Sequence, residues 1–316
     1  MVSRRKKELT DEEMSYIPSS KPNDKEAFEI FVTQKRIEGV QERTIELYRQ
    51  IKHVVERDLK FVNIDKTMVE LTTSNIEKLI LFWQDNVKTA TINSRLRVMK
   101  PYYKVLANKK VIKKNPMEHI HMLPERELIK DVLTDEEVSK IADYFKSRKT
   151  FANYRNLIIF QLLLDTGIRI GECMNILVSD VREDSITVTL TKNLQERLVF
   201  PSPACLKSIN SYLKVRGEIE GEQHLFVTVD NKKMSLRSYQ DILSTAGRES
   251  GVKKNVSPHM CRRTYSRDAV MNGIDPFSLA RLLGHSSLNT TKRYVQIWGN
   301  DLKTQSKFRG NYDKYF

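Results

Sequence analysis

The chain has 316 residues, 40 % of them hydrophobic, and 54 Lys and Arg against 40 Asp and Glu give it a net charge of +14. Its length suits two globular domains, and its charge favours an anionic partner, nucleic acid ahead of a membrane surface. The three cysteines form no C-x-x-C pair, which argues against a disulfide framework and a zinc ribbon. No apolar run approaches the roughly 18 residues of a membrane span, so we expect a cytoplasmic protein that does not span a membrane.

The first half of the chain is helical in pattern. Residues 1–24 are polar, and we expect them to form a flexible N-terminal arm. Apolar residues recur at helical spacing from residue 25 to about 115, which predicts a unit of four helices. Leu71 to Ser74 is typical of a helix start, and a further helix is expected from about Ala90 to Ala107.

The last part of this unit is strongly basic. Residues 88–114 hold nine Lys and Arg and no Asp or Glu. A solvated helix face is the ordinary explanation of a charge run, but one this long without an acid suits contacts with backbone phosphates. We therefore predict nucleic-acid contacts at the nine basic residues of this stretch, which are Lys88, Arg95, Arg97, Lys100, Lys104, Lys109, Lys110, Lys113 and Lys114.

A proline-containing segment with little periodicity separates the two halves, and we place the linker at residues 121–132. After it, Thr134 or Asp135 can cap a helix whose first turn is acidic, as the helix dipole favours. Residues 153–166 are strongly apolar and too long for a strand, so we expect a core helix.

The period then changes from helical to alternating. Ile186, Val188 and Leu190 alternate with polar residues, and Leu198 and Phe200 resume the alternation after a polar turn. This pattern predicts a β-hairpin. Lys192 lies in its turn, where a lysine by itself is usually a solvated residue.

Three further segments carry residues suited to chemistry on an anion. In Asp165–Glu172, Arg169 sits between apolar residues and needs an anionic partner, and Glu172 can be that partner. Glu172 would either orient Arg169 for binding an anion or form a purely structural ion pair with it. In Ser257–Arg263, Ser then Pro predicts a helix start that places His259 and Arg262 near its phosphate-binding N-terminus. The alternative is that they are an ordinary surface histidine and a surface arginine.

The third segment runs from Leu282 to Tyr294. His285 stands just before a helix that Ser287 can cap, and that helix would carry Tyr294. A tyrosine near a helix is usually part of a core or a surface. Tyr294 is singled out only by the residues that accompany it.

Together these segments resemble the signature blocks of the tyrosine site-specific recombinases, the lambda-integrase family with its Xer-like and phage- or transposon-type members. The blocks read TGIRIGE, TKNLQERLVFP, SPHMCRRT and LGHSSLNTTKRY. The resemblance covers residues from about 25 to 298 and is strongest in the second half. The residues that match the family's catalytic set are, in chain order, Arg169, Lys192, His259, Arg262, His285 and Tyr294. Arg263 stands where many relatives have His, and Asp165 and Cys261 replace apolar or aromatic residues that are commoner in the family. None of these departures removes a catalytic group.

The resemblance implies a mainly α fold with a small antiparallel β-sheet. Residues 25–120 would form the helical, SAM-like core DNA-binding domain, and residues 133–298 the α+β DNA breaking-rejoining catalytic domain, with the two closing as a C-shaped clamp on duplex DNA. The tail, residues 299–316, would be exchanged between protomers.

The resemblance also implies the activity. Tyr294 would attack a phosphodiester and form a 3′-phosphotyrosyl link, with Arg169 and Arg262 on the phosphate and His259, His285 and Lys192 assisting. No metal, cofactor or ATP would be needed. The partners would be double-stranded DNA target sites, further copies of the chain in a tetramer on two paired sites, and in some systems a second recombinase or an accessory protein.

Three alternatives stay open from the sequence. A type IB topoisomerase shares the nucleophile and its basic helpers, and it would relax supercoils without site preference. A non-catalytic DNA-binding accessory protein would bind DNA without cutting it, although the complete catalytic set argues against it. A membrane-surface protein is the weakest alternative, since no basic amphipathic helix with an exposed aromatic face is evident. The choice between integration, excision and resolution is also left open.

Overall fold

The computed structural model describes residues 22–125, 131–189 and 196–284. The chain divides into two compact units, Met1–Glu127 and Leu128–Phe316, which we call the first and the second unit. In the part of the chain that is described, no helix is both long enough and apolar enough to cross a lipid bilayer.

Four α-helices form the described part of the first unit. They are α1 (Asp24–Ile37), α2 (Glu42–Phe61), α3 (Thr73–Asn86) and α4 (Thr89–Asn108). The helix start predicted after Leu71 is confirmed, because the Thr72 hydroxyl caps α3 by accepting a hydrogen bond from the backbone N–H of Asn75. The helix predicted from about Ala90 to Ala107 is α4.

The core of the first unit is rich in aromatic side chains. Phe31 of α1, Trp83 of α3, and Tyr102 and Tyr103 of α4 are buried, and the rings of Phe31 and Tyr102 meet edge to face with centroids 5.4 Å apart. The Tyr103 hydroxyl donates to the Met68 carbonyl at 2.8 Å, so its polar atom is satisfied inside the core.

Arg95 belongs to this core, and the prediction that it contacts nucleic acid is wrong. Its side chain is only 9 % exposed, and its Nη1 donates to Oδ2 of Asp58 at 3.0 Å. The same oxygen accepts from Nε1 of Trp83 at 2.8 Å, and the Arg95 guanidinium lies 4.8 Å from the Trp83 ring centroid. A buried charge needs such a pair, so Arg95 stabilises the unit instead of facing a ligand.

The second unit contains one central helix, further helices that pack around it, and one hairpin in the described residues. Its elements are α5 (Asp135–Lys146), α6 (Phe151–Thr166), the short α7 (Ile170–Cys173), β1 (Ile186–Thr189), β2 (Glu196–Val199), α8 (Pro203–Arg216), α9 (Leu236–Glu249), α10 (Pro258–Met271) and α11 (Pro276–Leu283). The fold is therefore mainly α with one small antiparallel sheet in the described residues, as predicted.

Helix α6 is the centre of this unit. It packs against α5, α8 and α10, and its Ile159, Leu162 and Leu163 are completely buried. This confirms the core helix predicted from its apolar sequence. The predicted helix starts are also confirmed: Thr134 caps α5, and Ser257 caps α10 with Pro258 at the first helical position. The three cysteines are buried and free.

The hairpin is present, but the predicted phase of its second strand is wrong. Val199 pairs with Ile186 and is buried, whereas Leu198 and Phe200 are 44 % and 58 % exposed. Residues directly opposite each other in an antiparallel pair share one face, so Val199 and Arg197 face inward with Ile186 and Val188. The turn with Lys192 lies outside the described residues.

The burial of Arg95 yields a test of the first unit. We expect Arg95→Met to lower the free energy of unfolding of this unit by about 3 kcal/mol, since the buried Asp58 carboxylate loses its buried ion-pair partner and keeps only Arg57, whose side chain is 60 % exposed. Arg97→Met is the matched control on the same helix. The Arg97 side chain is 61 % exposed and lies 3.6 Å from Glu125, so its loss changes stability by about 0.5 kcal/mol or less.

Urea unfolding followed by tryptophan fluorescence in a Trp298→Phe background makes Trp83 the reporter, because these are the two tryptophans of the chain. Equal stability of the Arg95→Met and Arg97→Met proteins would contradict the structural role of Arg95.

Candidate active site

The predicted contact between Arg169 and Glu172 is confirmed. Helix α6 ends at Gly167, and Arg169 then caps the short α7, which presents Glu172 back toward it. Oε1 of Glu172 accepts from Nη1 of Arg169 at 2.8 Å, and Oε2 accepts from the Arg169 backbone N–H at 3.2 Å. The Glu172 side chain is 4 % exposed and that of Arg169 38 %, so a buried carboxylate orients a guanidinium that solvent can reach.

A second arginine, which the sequence analysis did not identify, binds the same carboxylate. Nη2 of Arg197 on β2 donates to Oε2 of Glu172 at 2.8 Å, and Nη1 donates to the Leu282 carbonyl at 2.6 Å. A signal was available in the strand pattern. With Val199 facing inward, Arg197 must face inward too, and an inward arginine needs an acid.

The charge of Glu172 depends on these two arginines. Burial alone would raise the pKa of its carboxyl group. The charge of Arg197, the hydrogen bonds from both arginines and the charge of Arg169 together outweigh burial and hold the pKa of Glu172 below its ordinary value. Glu172 is therefore a carboxylate at neutral pH, able to accept bonds from both guanidinium groups.

Arg262, on α10, also contacts the end of α11. The Ser257 cap and Pro258 fix the start of this helix, and Arg262 is buried one turn in, whereas His259 in the first turn is exposed. Nη1 of Arg262 donates to the Gly167 carbonyl and Nη2 to the Leu283 carbonyl, both at 2.6 Å.

Three consecutive carbonyls at the end of α11 thus each accept from a different arginine. Leu282 accepts from Arg197, Leu283 from Arg262, and Gly284 from Arg169 at 2.9 Å. The last carbonyls of a helix lack partners within the helix and carry its partial negative charge. The guanidinium groups satisfy them, and they fix the backbone that leads directly into His285.

Two glycines make this approach possible. Gly167 and Gly284 end α6 and α11 in the left-handed region, with φ of +59° and +65°. A Cβ on Gly284 would lie 2.8 Å from Nε of Arg197, and a Cβ on Gly167 would lie 2.5 Å from the Tyr265 ring. Any larger residue would displace the carbonyls that hold Arg262 and Arg169.

The structure therefore brings together three of the residues singled out in the sequence, Arg169, Glu172 and Arg262, and adds Arg197. His259 lies on the same helix as Arg262. Lys192, His285 and Tyr294 lie outside the described residues. The site gathers three guanidinium groups at the end of α11, two of which share the Glu172 carboxylate. Such a group suits the binding of an oxyanion such as a phosphate.

The other predicted contacts concern the basic stretch of the first unit. The side chains at the solvent surface are those of Lys88, Arg97, Lys104, Lys109, Lys110, Lys113 and Lys114, and Lys100 is half-buried. Arg97, Lys100 and Lys104 follow one another at helical spacing along α4. No group of three or more His, Cys, Asp and Glu side chains in the described ranges could hold a metal ion.

The chain is similar to known proteins over most of its length. Residues 131–299 match the model of the phage integrase family. A tyrosine recombinase XerC of Myxococcus xanthus is 30 % identical over 66 % of this chain and 72 % of that protein. A tyrosine recombinase XerD of Oceanobacillus iheyensis is 23 % identical over 92 % of this chain and 97 % of that protein. The structure of a lambda integrase tetramer bound to a Holliday junction superposes with a TM-score of 0.70 at 18 % identity, covering 87 % of this chain and 78 % of that one.

Proposed function

The chain belongs to the phage integrase family and is a tyrosine recombinase, and from this premise we propose how its residues recombine DNA. The protein cleaves and rejoins duplex DNA at specific sites, through a 3′-phosphotyrosyl intermediate formed on Tyr294. The observation that carries the proposal is the arrangement of Arg169 and Arg262, whose guanidinium groups lie on the neighbouring carbonyls of Gly284 and Leu283.

These two arginines are suited to the transition state of phosphoryl transfer. Attack on a phosphodiester adds negative charge to the non-bridging oxygens, and a guanidinium can bind two of them with charge-assisted hydrogen bonds. Because Glu172 and the helix-end carbonyls hold both groups before DNA arrives, little reorganisation is needed when the charge develops. Their charges supply what many other phosphoryl-transfer sites obtain from metal ions.

The reaction conserves ester bonds. The Tyr294 oxygen forms a bond to phosphorus as the bond from phosphorus to the 5′-oxygen breaks, and the phenol proton passes to a base. In the second step the 5′-hydroxyl of a different strand attacks the phosphotyrosine and releases the phenol. One phosphodiester is exchanged for another in the complete reaction, so no ATP is required by the energy balance.

The proton carriers follow from residue chemistry and from the family resemblance. We assign the acceptance of the Tyr294 proton to His259, which is exposed at the start of α10, and the protonation of the leaving 5′-oxygen to Lys192. His285 follows directly on the carbonyls that the arginines hold, so we assign it a role in orienting the phosphate. Burial and then the charge of Asp165 raise the pKa of the Tyr265 phenol, which makes this tyrosine harder to deprotonate.

The first unit binds the DNA backbone in this proposal, through the exposed basic residues of α4 and of the segment after it. We also propose that four copies act on two paired sites, by analogy with the lambda integrase tetramer on a Holliday junction. The tail from 299 to 316, predicted to be exchanged between protomers, lies outside the described residues.

Covalent trapping tests the nucleophile. Wild-type protein incubated with nicked DNA fragments from its source genome should form an SDS-resistant adduct, because a nick near the cleavage position lets the short strand that carries the leaving 5′-hydroxyl diffuse away before religation. Tyr294→Phe should bind the same fragments and form no adduct. Sequencing the trapped DNA gives the target site, and the mass of the native complex shows whether four chains are present.

An adduct that persists in Tyr294→Phe would refute the assignment of Tyr294, and Tyr312 and Tyr315 would be tested next. Relaxation of supercoiled DNA without any target site would instead support a topoisomerase. DNA binding with no adduct on any of the genomic fragments would support a non-catalytic accessory protein.

Salt dependence of binding tests the α4 surface. Each phosphate contact contributes about −0.9 to the slope of log K against log salt concentration. The double variant Arg97→Ala/Lys104→Ala should bind all DNA sequences more weakly and have a slope that is shallower by roughly 2. Lys78→Ala on the exposed side of α3 removes a charge outside this surface and should leave the slope as it is. An unchanged slope in the double variant would contradict the proposed contact.

A further inference from the structure

Arg197 has no role in the chemistry described so far, yet it occupies the centre of the charged cluster. Its side chain is 11 % exposed although its neighbours on β2, Glu196 and Leu198, are exposed. One nitrogen of its guanidinium binds Glu172 and another binds the Leu282 carbonyl. It is therefore the residue that joins β2, α7 and the end of α11.

The first consequence of this position is electrostatic. A pair made of Arg169 and Glu172 alone would have no net charge and would attract a phosphate weakly. With Arg197 on the second carboxylate oxygen, Glu172 still orients Arg169, while the group of three keeps a net positive charge. The arrangement separates two requirements that one ion pair cannot meet together, a fixed guanidinium and an attractive potential.

The second consequence is mechanical. Arg197 lies five residues after Lys192 in the sequence, and Leu282 lies three residues before His285. The bond from Arg197 to the Leu282 carbonyl therefore ties the strand that follows Lys192 to the backbone that precedes His285. The next two carbonyls hold Arg262 and Arg169, so a shift at Leu282 would be passed to both.

We propose that Arg197 is a positioning residue for DNA cleavage, which acts by joining Glu172 to the end of α11 and so sets the place and the effective charge of Arg169. The inference rests on the proposed function, since it concerns the rate of that reaction. Arg197 itself need not touch DNA.

The fork of the guanidinium is essential to this role. A lysine at position 197 would keep the positive charge. Its single ammonium group could not reproduce the planar geometry with which Arg197 bridges a carboxylate and a carbonyl. A methionine would fill similar space without charge. The two substitutions therefore separate the electrostatic from the mechanical part of the role.

The pH dependence follows from the groups around Glu172. The charged groups that face it are Arg169, on its own loop, and Arg197 on β2, and the thiol of Cys173 is buried beside it on α7. Without Arg197, burial raises the pKa of Glu172 against one remaining arginine. Below that higher pKa, protonated Glu172 no longer holds Arg169 as a charged acceptor, so the acid limb of the rate profile moves to higher pH.

The test measures single-turnover adduct formation at saturating protein, on the target site recovered by trapping, from acid to neutral pH. We expect Arg197→Met to lower the neutral-pH rate by about 10²-fold, as misplacement of a reacting group does. The acid limb of its rate profile should lie at a higher pH than that of wild type. The Glu172→Gln/Arg197→Met double variant should lack this shift, because the titrating group is gone.

Arg197→Lys should keep the wild-type acid limb while its rate stays below wild type, because the charge is retained and the fork is lost. Arg248→Met is the control: it removes one positive charge from a side chain of the same unit that is 73 % exposed, and it should leave the rate and the profile unchanged.

A wild-type rate and profile in Arg197→Met would overturn the inference. So would a reduced rate with an unshifted acid limb, because that result indicates a merely structural residue. If Arg197→Met does not fold, as circular dichroism would show, Arg197→Lys decides: a folded protein with the full wild-type rate would refute the bridging role. A wild-type protein that forms no adduct contradicts the proposed function itself, and so the two failures are distinguishable.

Discussion

The site depends on one constraint: the last carbonyls of α11 have no partners within their own helix. Leu282, Leu283 and Gly284 each accept a hydrogen bond from a different arginine, and these arginines come from β2, α10 and the loop after α6. The negative end of a short helix thereby gathers three positive side chains from separate parts of the sequence. Gly284 makes this possible, because its left-handed conformation turns the chain without placing a Cβ against Arg197.

Glu172 is what allows these charges to lie close together. It is the acid that bonds to both Arg169 and Arg197, and their combined effect keeps its pKa low despite burial. Removing a partner from such a buried pair is more destabilising than the pair is stabilising, so the arrangement is held as a unit. In the proposed function these side chains are the preorganised part of a phosphoryl-transfer site. The nucleophile Tyr294, the proton carriers His259 and Lys192, and His285, which orients the phosphate, complete it.

The sequence was informative wherever structure is decided locally. The caps at Thr72, Thr134 and Ser257 and the apolar helix that became α6 all follow from residues within one or two turns. The sequence pattern is misleading where the burial of a side chain depends on a partner that is distant along the chain. Arg95 looked like part of a basic surface because Asp58, its partner, is 37 positions away. The alternation of apolar residues predicts the wrong phase for β2, because the exposed Leu198 and Phe200 are more apolar than the inward Arg197, whose acidic partner Glu172 lies on another element.

The central claim is that Arg169 stabilises charge on the scissile phosphate, beyond holding the end of α11. A methylphosphonate at the cleavage position tests it, because the methyl group removes the negative charge while the bonds made and broken stay the same. The measurement is the ratio of adduct-formation rates of wild type and Arg169→Ala on each substrate, so any purely structural loss cancels between the two. We predict a defect of about 10²–10³ on the phosphodiester and a much smaller one on the neutral substrate. An equal defect on both would show that Arg169 is a structural residue and would contradict the account.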